Sequence, residues 1–111
     1  MNQDCIFCKI VSGQIPSKKI QENDDVIVIK DIHPQAPIHY LIIPKKHIKN
    51  IQSCESQDQN LLGAVFMMAQ NLSQETVGAQ EFKLVSNNGA SVGQSVFHIH
   101  IHFLAGKSWS E

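Results

Sequence analysis

The chain has little of what several protein classes require. Its net charge is −1 with the histidines neutral, so it lacks the basic excess that nucleic acid or an anionic membrane surface selects. The densest basic run, PKKHIK at 44–49, is short and reads as a solvated loop. No apolar run approaches the roughly 18 residues of a membrane-spanning helix. The opening MNQDCIFCKI has no charged-then-apolar leader pattern. A cytoplasmic protein with no nucleic-acid and no membrane partner is therefore expected. Cysteines number three, too few for a disulfide framework. Cys5 and Cys8 form a C-x-x-C; Cys54 stands apart and reads as structural. Internal repeats, low-complexity tracts and linkers are absent.

What is there suits one compact domain, residues 1–111. With 42% hydrophobic and 17% charged residues, the composition is globular rather than disordered. Residues 5–12 fit a short helix stopped by Gly13. QIPSKKIQE runs extended toward a turn at Asn23-Asp24-Asp25. VIVIK (26–30), HYLIIP (39–44, closed by Pro44) and FKLVS (82–86) read as strands. DIHPQAP (31–37) is a proline-punctuated loop. Ser56 with Gln59 resembles a capping box. After it, Leu61, Val65, Met68 and Leu72 recur at helical spacing, predicting an amphipathic helix that ends at Gly78. The loop NNGASVGQS (87–95) then leads into a last strand. The expected class is α+β: an antiparallel β-sheet with one long amphipathic helix and a short N-terminal helix.

The last strand carries HIHIH, with His98, His100 and His102 at alternate positions. Alternation puts all three on one face and Phe97, Ile99, Ile101 and Phe103 on the other, under the long helix. The outer pair would be about 13 Å apart at ~3.3 Å per residue, too far for all three to share one metal comfortably. Catalysis accounts for them better. A neutral imidazole is nucleophilic near neutral pH, and a group that accepts its Nδ1 proton leaves Nε2 able to attack. Flanking imidazoles, when protonated, donate hydrogen bonds to an anion. Gly93-Gln94-Ser95 could add backbone N–H groups and a hydroxyl for phosphate oxygens.

HIHIHFLAG, with IFCKI, DIHPQAP, HYLIIPKKH and VSNNGASVGQSVFH in this order, resembles the histidine triad (HIT) family over nearly the whole chain. Its nearest branch is the Hint-like, adenosine phosphoramidase-like one. The resemblance implies a HIT-like fold and hydrolysis of purine nucleoside 5′-phosphoramidates through a nucleotidyl-histidine intermediate. It makes His100 the nucleophile and His102 the phosphate-polarising residue. His98 and His39 would orient or relay protons behind the nucleophile. Ser95, Gln94 and Gly93 map to phosphate contacts, Asn87 to support of the nucleotide site, and Asp31 to the ribose. Ile6, Phe7, Ile10 and Ile32 map to the apolar base pocket. Ile10 also reads as ordinary core, and Asp31 as a turn residue before Pro34. The resemblance further implies a homodimer. Trp109 either reaches toward a site across that dimer or anchors the terminus.

Other members of the superfamily are rivals. Nucleotidyl transferases carry glutamine at the third triad position, where this chain has His102. A dinucleoside polyphosphate hydrolase and a nucleotide-binding regulatory protein with incidental turnover remain alternatives. Finally, Cys5 and Cys8 have the spacing that lets two thiolates reach one zinc ion. With His47 and His98 they would make a closed Cys₂His₂ structural site, as in some relatives, and leave the relay role to His39. No organic cofactor is expected.

Overall fold

The computed structural model describes residues 4–109. Strands β1 (Lys19–Glu22), β2 (Val26–Lys30), β3 (Ile38–Pro44), β4 (Phe82–Val85) and β5 (Ile101–Ala105) form one sheet in the order β1-β2-β3-β5-β4. Every neighbouring pair is antiparallel. Val26, Ile27, Val28 and Ile29 are all buried. Their lack of alternation follows from a sheet covered on both faces. Helix α2 (Gln59–Glu75) lays Val65, Met68, Ala69 and Leu72 over Val26, Val28, Ile42, Ile101 and Phe103. The short α1 (Ile6–Ser12) covers the opposite face, packing Phe7, Cys8 and Ile10 on Ile27, Ile29, Leu41 and Ile43. The expected α+β class holds, with the two helices on opposite sides of the antiparallel sheet.

Local signals were partly displaced. Gly13 stops α1 as expected, at φ 84°. Helix α2 ends at Glu75, before Gly78, because the Thr76 N–H closes on Leu72 O while its own backbone is extended. The capping contact lies one residue earlier than Ser56/Gln59: the Asp58 carboxylate accepts from the Glu55 N–H at 2.9 Å.

The largest departure concerns the histidines. Strand β5 begins at Ile101, so of the triad only His102 lies in a strand. Pro44, the last residue of β3, has no N–H to continue a ladder. Beyond it the chain leaves the sheet, and the Ile99 N–H goes to Ile48 O at 2.8 Å. Inside-outside alternation nevertheless survives for Ile99, Ile101 and Phe103, which are buried under α2. Phe97, expected beside them, is outside, with the Lys49 ammonium 5.6 Å from its ring.

Candidate active site

Residues 98–102 send three imidazoles to three different environments. The His98 ring is fully buried and does not line the cleft described below. Its Nε2–H donates to Pro44 O at 2.7 Å. Burial pushes its pKa down to about 4, against the stabilising pull of that carbonyl. His98 is thus neutral, with the Nδ1 lone pair turned toward Cys5 Sγ (3.2 Å), His47 Nδ1 (3.2 Å) and Cys8 Sγ (3.6 Å). The His98 ring is engaged by Pro44 O and the cysteine cluster, away from the cleft that His100 lines.

His100 points the other way. Its Nδ1–H donates to the main-chain carbonyl of His98 at 2.8 Å. A neutral ring with its proton on Nδ1 carries a lone pair on Nε2. The Phe7 ring stands edge-on to His100 at 5.1 Å and restricts it from one side. The orienting group behind His100 is therefore a backbone carbonyl, not an imidazole of His98 or His39.

His39, buried on β3, instead stands behind His102: its Nε2 lies 2.9 Å from His102 Nδ1. The Gln35 N–H donates to His39 Nδ1 at 3.0 Å. Burial and the neighbouring His100 and His39 rings lower the pKa of His102, with Asp31 opposing. The expectation of protonated flanking imidazoles is corrected accordingly: His98 and His102 are held toward the neutral form.

His100 and His102 line a cleft of about 790 Å³, together with Ile6, Phe7, Ile10, Asp31, Ile32, Asn87, Gly93 and Ser95. Ile6 and Ile32 are exposed apolar residues at this cleft, the latter 86% exposed, while Ile10 and Phe7 also belong to the core behind it. Ile10 thus both packs in the core and lines the cleft. Asp31 Oδ1 accepts the His33 N–H at 2.7 Å as a turn residue does, and Oδ2 lies 3.4 Å from His39 Nε2 and 3.9 Å from His102 Nδ1. The sequence reading missed Leu104, which also lines the cleft. It lies two residues after His102, so strand periodicity points to it. Gln35 was missed too, and since it acts through its backbone no side-chain pattern marks it.

The glycine-rich loop works differently from expectation. The N–H groups of Gly93 and Gln94 close on Ala90 O and Gly89 O. Gln94 is buried, and its amide donates to Lys49 O (2.8 Å) and Val96 O (3.1 Å) while accepting from the Gly89 N–H (2.8 Å). With both amide protons committed, Gln94 braces the loop rather than touching phosphate. Asn87 also braces it, through Val92 O at 2.9 Å. Ser95 presents its hydroxyl side chain at the cleft. The chain has no arginine, so the cleft meets an anion without a guanidinium.

On the far side of His98, Cys5, Cys8, His47 and His98 bring their ligand atoms within 4.8 Å of one another. Cys8 Sγ lies 3.3 Å from His47 Nδ1, and the Cys8 N–H donates to Cys5 Sγ at 3.3 Å. The segment carrying His47 is fixed by Lys45 N–H to Asp25 O (2.8 Å) and by Lys46 to the buried Asp58 carboxylate (2.6 Å). The Glu55 N–H, then Lys46, hold that carboxyl below its usual range. Trp109 folds back over its own chain's lysines, 4.7 Å from Lys83 Nζ and 5.2 Å from Lys107 Nζ.

Residues 4–111 match the family model described as scavenger mRNA decapping enzyme C-terminal binding. An uncharacterized HIT-like protein of Synechocystis is 41% identical over 110 residues, covering 99% of this chain and 96% of that one. The chain belongs to the histidine triad family. Another uncharacterized HIT-like protein, from Chlamydia trachomatis, is 44% identical over 91% of each chain. Among solved structures, a HIT family hydrolase from Clostridium thermocellum superimposes with a TM-score of 0.95 at 37% identity, covering 100% of this chain and 97% of that one. A HIT family hydrolase from Legionella pneumophila gives 0.89 at 41% identity, covering 96% of each. No helix among the described residues of this HIT protein is long and apolar enough to cross a membrane.

The bracing role of Gln94 is testable. Gln94→Ala removes three part-buried hydrogen bonds, to the Gly89 N–H and the Lys49 and Val96 carbonyls, each worth about 0.5–1.5 kcal/mol. Its urea denaturation midpoint should fall clearly below wild type with an unchanged slope. A midpoint equal to wild type would remove the bracing role.

Proposed function

We propose that this HIT protein is a nucleotide-binding hydrolase. It cleaves purine nucleoside 5′-phosphoramidates, adenylated amines among them, to a nucleoside monophosphate and an amine. The observation that carries the reading is the pair at the cleft floor: His100, with Nδ1–H held by the His98 carbonyl, beside His102 at 5.3 Å between ring centroids. His100 Nε2 attacks the α-phosphorus, and a P–Nε2 bond forms as the P–N bond to the amine breaks. The imidazole becomes cationic, and the His98 carbonyl accepting its Nδ1–H favours that charge. His102 donates a hydrogen bond to a phosphoryl oxygen, and the amine departs with a proton from solvent. Water then attacks phosphorus and gives up a proton to solvent, the P–Nε2 bond breaks, and neutral His100 returns. Ile6, Ile32, Phe7 and Ile10 suit a base, and the Asp31 carboxylate suits the ribose hydroxyls. The DIHPQAP and HYLIIPKKH segments favour phosphoramidates over dinucleoside polyphosphates.

Adenylated lysine, adenylated tryptamine and diadenosine tetraphosphate should be compared for AMP release, in wild type and His100→Ala. The two phosphoramidates should turn over faster, and His100→Ala should lose at least ~10³-fold in kcat while still binding AMP. Preference for the tetraphosphate would favour the polyphosphate hydrolase instead, and a variant within tenfold of wild type would dismiss His100 as nucleophile.

Zinc is proposed at the cysteine cluster. A tetrahedron with Zn–S near ~2.3 Å and Zn–N near ~2.0–2.1 Å has edges of about 3.3–3.8 Å. Four of the six spacings are 3.2–3.6 Å, close to those edges, and all lie within 4.8 Å. Cys5, Cys8, His47 and His98 would hold the ion, and the Pro44 carbonyl already fixes the tautomer of His98 that a metal requires. Bound there, the ion would serve structure, tying the N-terminal segment to residue 98. Metal analysis should give close to one zinc per chain, lost in Cys5→Ser/Cys8→Ser together with thermal stability. Wild-type protein purified without chelator yet zinc-free would end the assignment.

A homodimer completes the reading. Phe66 and Met67 on α2 are 62% and 61% exposed, and an apolar groove beside them is lined by Ile51, Leu62 and Ile99. β4 is an edge strand of the sheet. Sedimentation at micromolar concentration should give twice the chain mass, and Phe66→Glu the single mass. A wild-type monomer would contradict the dimer.

A further inference from the structure

Asp31, His39 and His102 bring one carboxylate oxygen and two ring nitrogens within 4.8 Å of one another. The set resembles the two-histidine-one-carboxylate arrangement of some metal sites. The Gln35 N–H decides against that use. It donates to His39 Nδ1 at 3.0 Å, so in a neutral His39 ring the proton sits on Nε2. A metal would need the Nε2 lone pair. Three facing atoms therefore surround a proton, not an ion.

That proton has two acceptors. His102 Nδ1 is 2.9 Å away and Asp31 Oδ2 3.4 Å away. The other Asp31 oxygen is already engaged by the His33 N–H at 2.7 Å, so Oδ2 is the one that can turn between His39 and a ligand. When His102 accepts at Nδ1, its own proton must sit on Nε2, and the ring becomes a hydrogen-bond donor through that nitrogen. When the His39 proton turns to Asp31, nothing fixes the tautomer of His102. Its partial burial lowers its pKa, which disfavours a second proton.

We propose that His39 is a positioning residue that couples sugar recognition to phosphate polarisation by sharing one proton between Asp31 and His102. A ribose hydroxyl that donates to Asp31 Oδ2 satisfies the carboxylate and leaves the His39 N–H wholly to His102. The sugar then sets the tautomer that stabilises the phosphoryl oxygen. This rests on the ribonucleotide reading above and goes beyond it: the 2′-hydroxyl acts on the chemical step, not only on affinity.

The test compares ribo and 2′-deoxyribo adenosine phosphoramidates in wild type, His39→Gln and His39→Leu. In wild type the 2′-deoxy substrate should lose on the order of tenfold in kcat, the fold-change of about one hydrogen bond, besides any rise in KM. His39→Leu has no donor, so both substrates should be slow and their kcat ratio should fall to about one while the KM ratio persists. Gln can place an amide N–H where Nε2 stood, so His39→Gln should recover much of the lost kcat. A ribo/deoxy kcat ratio that persists in His39→Leu would overturn the coupling. Independently, ¹⁵N NMR of the imidazole nitrogens should show His39 protonated at Nε2, and His102 protonated at Nε2 with AMP but of mixed tautomer with 2′-deoxy-AMP. A His39 proton on Nδ1, or a His102 ring indifferent to the 2′-hydroxyl, refutes the proposal whatever the substrate. If no phosphoramidate turns over yet His102 still responds to AMP, the substrate reading fails and the coupling stands.

Discussion

The hydrogen bond from His98 Nε2 to the Pro44 carbonyl, 2.7 Å long and buried, is the contact on which the site depends. Pro44 ends β3 without an N–H, and a sheet carbonyl there needs a partner from outside the ladder. The His98 ring supplies it. Once that ring is turned inward, the main chain at 98–100 peels off the sheet toward Ile48. The His98 carbonyl then faces His100 Nδ1 rather than a neighbouring strand. A single irregularity thus buries one imidazole, orients the next and leaves the third in β5.

The electrostatics follow from the same burial. His98 is driven to a pKa of about 4 and His102 is lowered too. The chain has no arginine, and these two rings are held toward the neutral form, so at this point they offer directed hydrogen bonds rather than imidazolium charge. Direction then matters more than charge, because a neutral imidazole donates from one nitrogen only. Each ring nitrogen therefore needs a partner that decides where the proton goes, and backbone groups are the most rigid partners available. His98 uses Pro44 O, His100 uses His98 O, and His39 uses the Gln35 N–H.

Much of the architecture was legible in the sequence, and the reasons differ by element. VIVI and HYLII read as strands because β-branched runs leave few alternatives. Leu61, Val65, Met68 and Leu72 marked α2 by period alone. The alternation HIHIH was read as a strand, and its inside-outside pattern held for Ile99, Ile101 and Phe103, though not for Phe97 or for the shared face of the histidines, and its hydrogen bonding did not hold before Ile101. Alternation reports which side is buried, not whether a ladder exists. Gln94 was mapped to a phosphate contact by the family resemblance; nothing local shows that Lys49, 45 residues away in sequence, takes one of its amide protons. The jobs of Gln35 and the His98 carbonyl were invisible for a different reason: main-chain groups are the same in every residue.

The loop DIHPQAP carries more of the site than its side chains suggest. Pro34 and Pro37 restrict the backbone between β2 and β3, and residues 33 and 35 both turn their N–H groups inward. One N–H fixes Asp31 Oδ1; the other fixes His39 Nδ1. The carboxylate and the imidazole are therefore oriented by the same seven residues, before any ligand arrives. The cysteine cluster restrains the other end of the cleft, through His98. His100 and His102 sit between these two anchored segments, each with its Nδ1 against a partner that is itself held by main-chain groups. On the proposed reading, with His100 as a neutral nucleophile, that arrangement leaves the choice of which nitrogen keeps the proton to groups outside the reaction.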